Sequence, residues 1–199
     1  YGKVETVTVD GKNPNVGHEN DVDMVLVMRG LHGMVNAGKI DEWLATFHAS
    51  LKPNGVLGIE EHRAPADAKP EESSKKGYLP EKWTIEKIEA AGFKLEKKAE
   101  INANPKDTKD YAEGVWALPP TLTLGEEDRD KYVAIGESDR MTLKFVKVAK
   151  KAAAPAGATP AKPAEKGAAP AKPATPAAPA GTGAAPAKPA APATPPAKK

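Results

Sequence analysis

The sequence predicts an α/β fold built on a parallel sheet, and three features of residues 22–62 predict it. Two short apolar runs, VDMVLVM at 22–28 and GVLGI at 55–59, read as buried strands. Between them, Ile40–Leu51 places Ile40, Trp43, Leu44, Phe47 and Leu51 on one helical face. Polar side chains then crowd the strand ends: Arg29 and His32 follow the first, and Glu60, Glu61 and His62 close the second. Together these make a strand–helix–strand unit of a sheet covered on both faces. Ligands bind such sheets at the carboxyl ends of the strands, so residues 29–32 and 60–62 mark the expected functional edge.

The elements follow in order. KVETVTV at 3–9 alternates β-branched residues and predicts a strand, closed by Asp10-Gly11. GKNPNVGHEN at 11–20 is turn chemistry. Val22–Met28 is the second predicted strand, and Gly30, Gly33 and Gly38 loosen the chain after it. The helix over Ile40–Leu51 leads through Lys52-Pro53-Asn54-Gly55 into a third strand at Gly55–Glu60. Residues 63–79, rich in Pro, Lys, Glu and Ser, predict a surface loop. Pro80 opens a helix through Trp83, Ile85, Ile88 and Ala91, ended by Gly92. Phe93–Ile101 predicts a strand, 102–140 is long, polar and weakly periodic, and TLKFVKV at 142–148 alternates as a final strand.

Composition divides the chain at about residue 150. Beyond it the sequence is mostly Ala, Pro and Lys, with PAKPA at 160–164, 170–174 and 186–190. Such a segment buries little and lacks donors at every Pro, which predicts a disordered tail over 151–199. Residues 1–150 suffice for one folded domain. The tail carries seven Lys and one Glu, leaving the body with 22 basic and 26 acidic residues beneath an overall charge of +2. A mildly acidic body excludes a basic nucleic-acid stripe. With no cysteine there is neither a disulfide framework nor thiolate chemistry. No apolar run is long enough to span a bilayer.

The stretches VTVDG (7–11), DVDMVLVMRGLHGM (21–34), LKPNGVLGIEEHRAP (51–65), KKGYLPEKWTIEKIEAAGF (75–93), EINANPKDTKD (100–110) and SDRMTLKFVK (138–147) occur in a telling order. In that order they resemble the C-terminal two-thirds of class I S-adenosylmethionine-dependent methyltransferases, and more closely a bacterial group of predicted, often exported, methyltransferases. The resemblance implies a Rossmann-like sheet, of family order 3-2-1-4-5-7-6, truncated at its N-terminal side. The Gly-rich cofactor turn and the ribose-binding acid of the family are not in this chain, which implies weak cofactor binding by the chain alone. It also implies a periplasmic or exported location.

Candidate site residues follow from position and resemblance. Asp10 is either a turn residue or, as the resemblance implies, the acceptor for the adenine amino group. Arg29 is either an anchor for an anionic group of the substrate or the partner of Glu60 or Glu61. His32 is either a backbone-satisfied loop residue or, beside the methyl-transfer site that the resemblance implies, a general base. Glu60 and Glu61 are successive strand residues, so they point to opposite faces. Glu61 and His62 lie nearest the cleft, and a buried Glu61 is a second candidate base. A metal centre would need His32, Glu61 and His62 to converge without any compact ligand motif, so none is expected. His18 and His48 read as loop and helix-surface residues. Trp43, Phe47, Trp83 and Phe93 read as core, and Tyr78 and Trp116 as loop residues able to cap a pocket.

The reading these features favour is S-adenosylmethionine-dependent methyl transfer to an unknown acceptor, as part of a longer protein, with His32, Glu61 and His62 catalytic. The alternative is a non-catalytic exported protein of the same fold whose tail contacts the cell envelope or an anionic polymer.

Overall fold

The computed structural model describes residues 2–148; the predicted tail lies outside them. Among the described residues four strands form one sheet: β1 (Val22–Met28), β2 (Leu51–His62), β3 (Phe93–Ala99) and β4 (Arg140–Lys147). Their order is β1-β2-β4-β3. β1 and β2 are parallel, with Val25 opposite Leu57 and Val27 opposite Ile59. β4 runs antiparallel to both neighbours, pairing Leu57 with Phe145 and Phe93 with Lys147. A parallel pair with an antiparallel strand inserted beside it matches the 4-5-7-6 order that the resemblance implies.

Among the described residues five helices accompany the sheet: α1 (Leu31–Asn36), α2 (Ile40–Ser50), α3 (Pro70–Ser73), α4 (Glu81–Ala90) and α5 (Arg129–Ile135). The main core joins Leu44 and Phe47 of α2 and Ile88 of α4 to Val27, Leu57, Ile59, Leu143 and Phe145 of the sheet. Each such side chain contributes roughly 1.5–3 kcal/mol on burial. Leu57, Ile59 and Glu61 alternate along β2 and all point to this covered face.

The sheet differs from expectation on its other face. Among the described residues it is uncovered, and Met24, Leu26 and Met28 stand 51%, 59% and 59% exposed. Gly58 permits close packing there, because a Cβ would come within 2.6 Å of Leu26 Cδ2.

Four further expectations are corrected. Residues 3–9 form no strand, and Val4 is 81% exposed. Alternation supplies strand propensity, but a strand needs a neighbouring ladder, and none is offered to these residues. The glycine-rich stretch after β1 folds into α1, where Gly33 is carried by flanking Leu31 and by bonds from Ala37 and Gly38 back to its last turn. Residues 63–79 include α3 and a 3₁₀ turn at Ser74–Lys76, and end on the buried pair Tyr78 and Leu79. Residues 102–140 hold a second small core of Tyr111, Ala117, Leu118 and Tyr132, into which α5 packs.

Candidate functional site

The site is assembled where β1 and β2 end. Arg29 takes a left-handed turn at φ 55, and its N–H donates to Glu60 O at 2.7 Å, the last rung of the ladder. The chain then enters α1, which swings His32 back over the end of β2. There Glu61, fully buried, meets it twice. The His32 backbone N–H donates to Glu61 Oε2 at 3.1 Å, and His32 Nδ1 lies 3.0 Å from Glu61 Oε1. The same Oε1 accepts the backbone N–H of His62 at 2.9 Å.

This geometry fixes the chemistry of His32. A carboxylate can only accept, so Nδ1 carries the proton and donates it to Glu61. Nε2 is then the unprotonated nitrogen, an acceptor able to take a proton. Held by backbone N–H groups, Glu61 fixes the orientation of the ring, the geometry of a buried carboxylate set behind an imidazole.

His62 lies next to this pair. Its ring centroid is 5.8 Å from that of His32, and its Nδ1 is 2.5 Å from Ser138 Oγ. Burial pushes the His62 pKa down to about 4; the charges of His32, Arg140 and Arg29 add to the effect and Glu61 opposes it. His62 is therefore neutral at pH 7. The Tyr78 ring stands edge-on to His62 at 6.2 Å. The Tyr78 hydroxyl donates to buried Asp107, whose carboxylate also accepts the Asp139 N–H at 2.8 Å. Burial, then Asp107, raises the Tyr78 pKa, so it stays a donor.

His32 and His62 open onto a cavity of about 210 Å³, which Arg29, Trp116, Ser138 and Arg140 also line. Val115 and the Pro119-Pro120 pair supply its apolar wall. Trp116 stands edge-on to His32 at 6.0 Å. It rides on the 3₁₀ turn Gly114–Ala117, held by the second core. At Gly114, with φ 59, any Cβ would collide with the backbone of Lys76.

The structure thus brings together His32, Glu61, His62 and Arg29, and separates Asp10 from them. Asp10 is exposed, and its Oδ1 accepts the Lys12 N–H at 2.9 Å, which is the turn role. Glu60 points away from Glu61 as strand alternation requires, pairing with Arg140 and, at 3.9 Å, with Arg29. His18 sits 3.0 Å from Asp21, and His48 packs edge-on to Phe93. The convergence that a metal centre would need is present: one candidate ligand atom each from His32, Glu61 and His62 lie within 4.8 Å of one another. The convergence comes from α1 folding His32 over β2, which sequence spacing does not display. Ser138 and Arg140 escaped the sequence reading. The register that places Arg140 opposite His62 is the signal that finds them.

No protein-family model and no curated protein matches the chain. Solved structures that resemble it include the [4+2]-cyclase SpnF, at 17% identity and a TM-score of 0.46, covering 71% of this chain and 55% of that one. Another is the Burkholderia thailandensis 1,6-didemethyltoxoflavin-N1-methyltransferase, solved with bound 1,6-didemethyltoxoflavin and S-adenosylhomocysteine. It is 15% identical with a TM-score of 0.40, covering 66% of this chain and 46% of that one. A third is an S-adenosylmethionine-dependent methyltransferase from Mesorhizobium loti, at 15% identity and a TM-score of 0.41, covering 70% and 68%. The chain spans about half the length of the first two.

Proposed function

We propose that this chain supplies the acceptor side of an S-adenosylmethionine-dependent methyltransferase, with His32 as general base and Glu61 as the residue that orients it. The observation that carries the reading is the His32–Glu61 pair itself, a buried carboxylate bonded to an imidazole 3.0 Å away at the carboxyl ends of two parallel strands. The sheet order implied by the resemblance supports it. S-adenosylmethionine supplies an electrophilic methyl group. An acceptor hydroxyl or amine bound in the cavity gives its proton to His32 Nε2, and Glu61 stabilises the resulting imidazolium. Trp116 and the two prolines exclude water on one side. Arg29, 46% exposed at its side chain, faces an anionic group of the acceptor.

The described residues by themselves do not fit the cofactor. Asp10 is exposed and does not line the cavity, whose volume of about 210 Å³ is nearer the size that encloses one small ring than a nucleoside joined to methionine. Cofactor binding therefore belongs to the complete protein. Calorimetric titration of S-adenosylmethionine into the product of the complete open reading frame, beside residues 1–150, tests this. Binding by the complete product alone is expected. Low-micromolar binding by residues 1–150 contradicts the assignment, and binding by the complete product without turnover on any acceptor favours the non-catalytic alternative.

A further inference from the structure

We infer that His32, Glu61 and His62 form a binding site for a divalent transition-metal ion of the zinc class. The inference does not rest on methyl transfer.

Two independent observations carry it. The first is convergence. Ligand atoms of all three residues lie within 4.8 Å of one another. Around a four-coordinate zinc with its usual bond lengths, neighbouring ligand atoms stand roughly 3.4 Å apart. His32 Nδ1 and Glu61 Oε1, at 3.0 Å, already approach that spacing. A shift of at most about 1.4 Å brings a ring nitrogen of His62 to the same spacing. The second is charge. The Glu61 side chain has no solvent exposure, and among the described residues no Lys or Arg comes within ion-pairing distance of it. A buried carboxylate without a fixed cation invites a proton on its imidazole partner or a metal ion in its place.

The surroundings suit a metal. Two imidazoles and one carboxylate are the donor set of many zinc and non-haem iron centres, with the remaining positions open. Ser138 Oγ lies 2.5 Å from His62 Nδ1 and can hold that nitrogen as an N–H, leaving Nε2 to ligate. Metal-binding histidines are commonly fixed by such an outer hydrogen bond. Both rings line the cavity, which gives the ion an entry path.

Occupancy has a consequence for His32. An ion bound at Nδ1 displaces that proton and leaves Nε2 as the N–H nitrogen. The ring then cannot accept a proton from an acceptor, so the ion silences the base.

The test is titration of the whole 199-residue chain, first stripped with chelator, with Zn²⁺ by calorimetry and with Co²⁺ by visible absorption. One equivalent should bind with a micromolar or tighter dissociation constant, and Co²⁺ should give a low-coordinate d–d spectrum. Paramagnetic shifts should fall on the ring protons of His32 and His62. Glu61→Gln and His62→Asn should each weaken binding at least tenfold, while His18→Ala and His48→Ala leave it unchanged. The ring-proton shifts on the unsubstituted chain decide the matter if a variant fails to fold. Binding weaker than about 100 μM, or shifts confined to His18 or His48, overturns the inference.

Discussion

Glu61 determines what the neighbouring imidazoles can do. It accepts two backbone N–H groups and one ring N–H, so its charge is fixed in place before any ligand arrives. Under the proposed function, His32→Ala in the complete protein should lower turnover roughly 10²–10⁴-fold, with cofactor affinity nearly unchanged, as expected for loss of a general base. Turnover within a few-fold of the unsubstituted enzyme would remove His32 from the chemistry. His62 makes a separate prediction about pH. Its folded pKa, pushed down to about 4 by burial, lies below the unfolded value of 6.5. The unfolded chain therefore binds the extra proton first, and stability is lost as pH falls from about 6.5 toward 4. The loss should approach on the order of 3 kcal/mol by the bottom of that range. Denaturant titrations in chelator at pH 7 and pH 4.5 should show it in the unsubstituted chain and a smaller loss in His62→Gln.

At the scale of elements, the strand–helix–strand unit, α4 and β4 were legible because their apolar residues repeat with one clear period. Strand 3–9 misled because propensity is local and pairing is not. Helix α1 was hidden by Gly33, although it delivers His32. The 102–140 segment was illegible because Tyr111, Leu118 and Tyr132 build a core with no period at all. Of the site, Arg29, His32, Glu61 and His62 were legible as strand-end residues, and Trp116 as a pocket residue. Ser138 was not, since its partner His62 lies 76 positions away. The second core carries the Trp116 wall, so Gly114→Ala should separate that turn from Lys76. A cost of at least about 2 kcal/mol is expected from the left-handed backbone and the collision. Thermal melts and acceptor affinity should fall together. Unchanged melting would show that the turn relaxes freely. Tyr78→Phe leaves Asp107 short of a donor and should cost about 1–3 kcal/mol by denaturant titration. No measurable loss would mean that the Lys109 N–H, which donates to Asp107 Oδ1 at 3.0 Å, and the Asp139 N–H satisfy Asp107 alone.

At the scale of the whole molecule, the sheet is covered on one face, while β1 presents Met24, Leu26 and Met28 on the other. An apolar face beside an unpaired strand edge promotes association. Residues 1–150 should self-associate by sedimentation velocity at tens of micromolar. Leu26→Lys with Met28→Glu should restore the monomer, and a monomeric unsubstituted chain would show the face to be innocuous. The uncovered face and the closed site belong to one arrangement: α1 and the end of β2 close around His32 and Glu61, while among the described residues the opposite sheet face stays open. The central claim is that this fold holds His32 with its proton on Nδ1 and its lone pair on Nε2, facing the cavity. Long-range ¹⁵N–¹H correlation on the ¹⁵N-labelled, chelator-treated chain at pH 7.5 to 8 tests it directly. A His32 ring protonated at Nδ1 is expected, switching to the other tautomer in Glu61→Ala. A His32 ring protonated at Nε2 in the unsubstituted chain would contradict it.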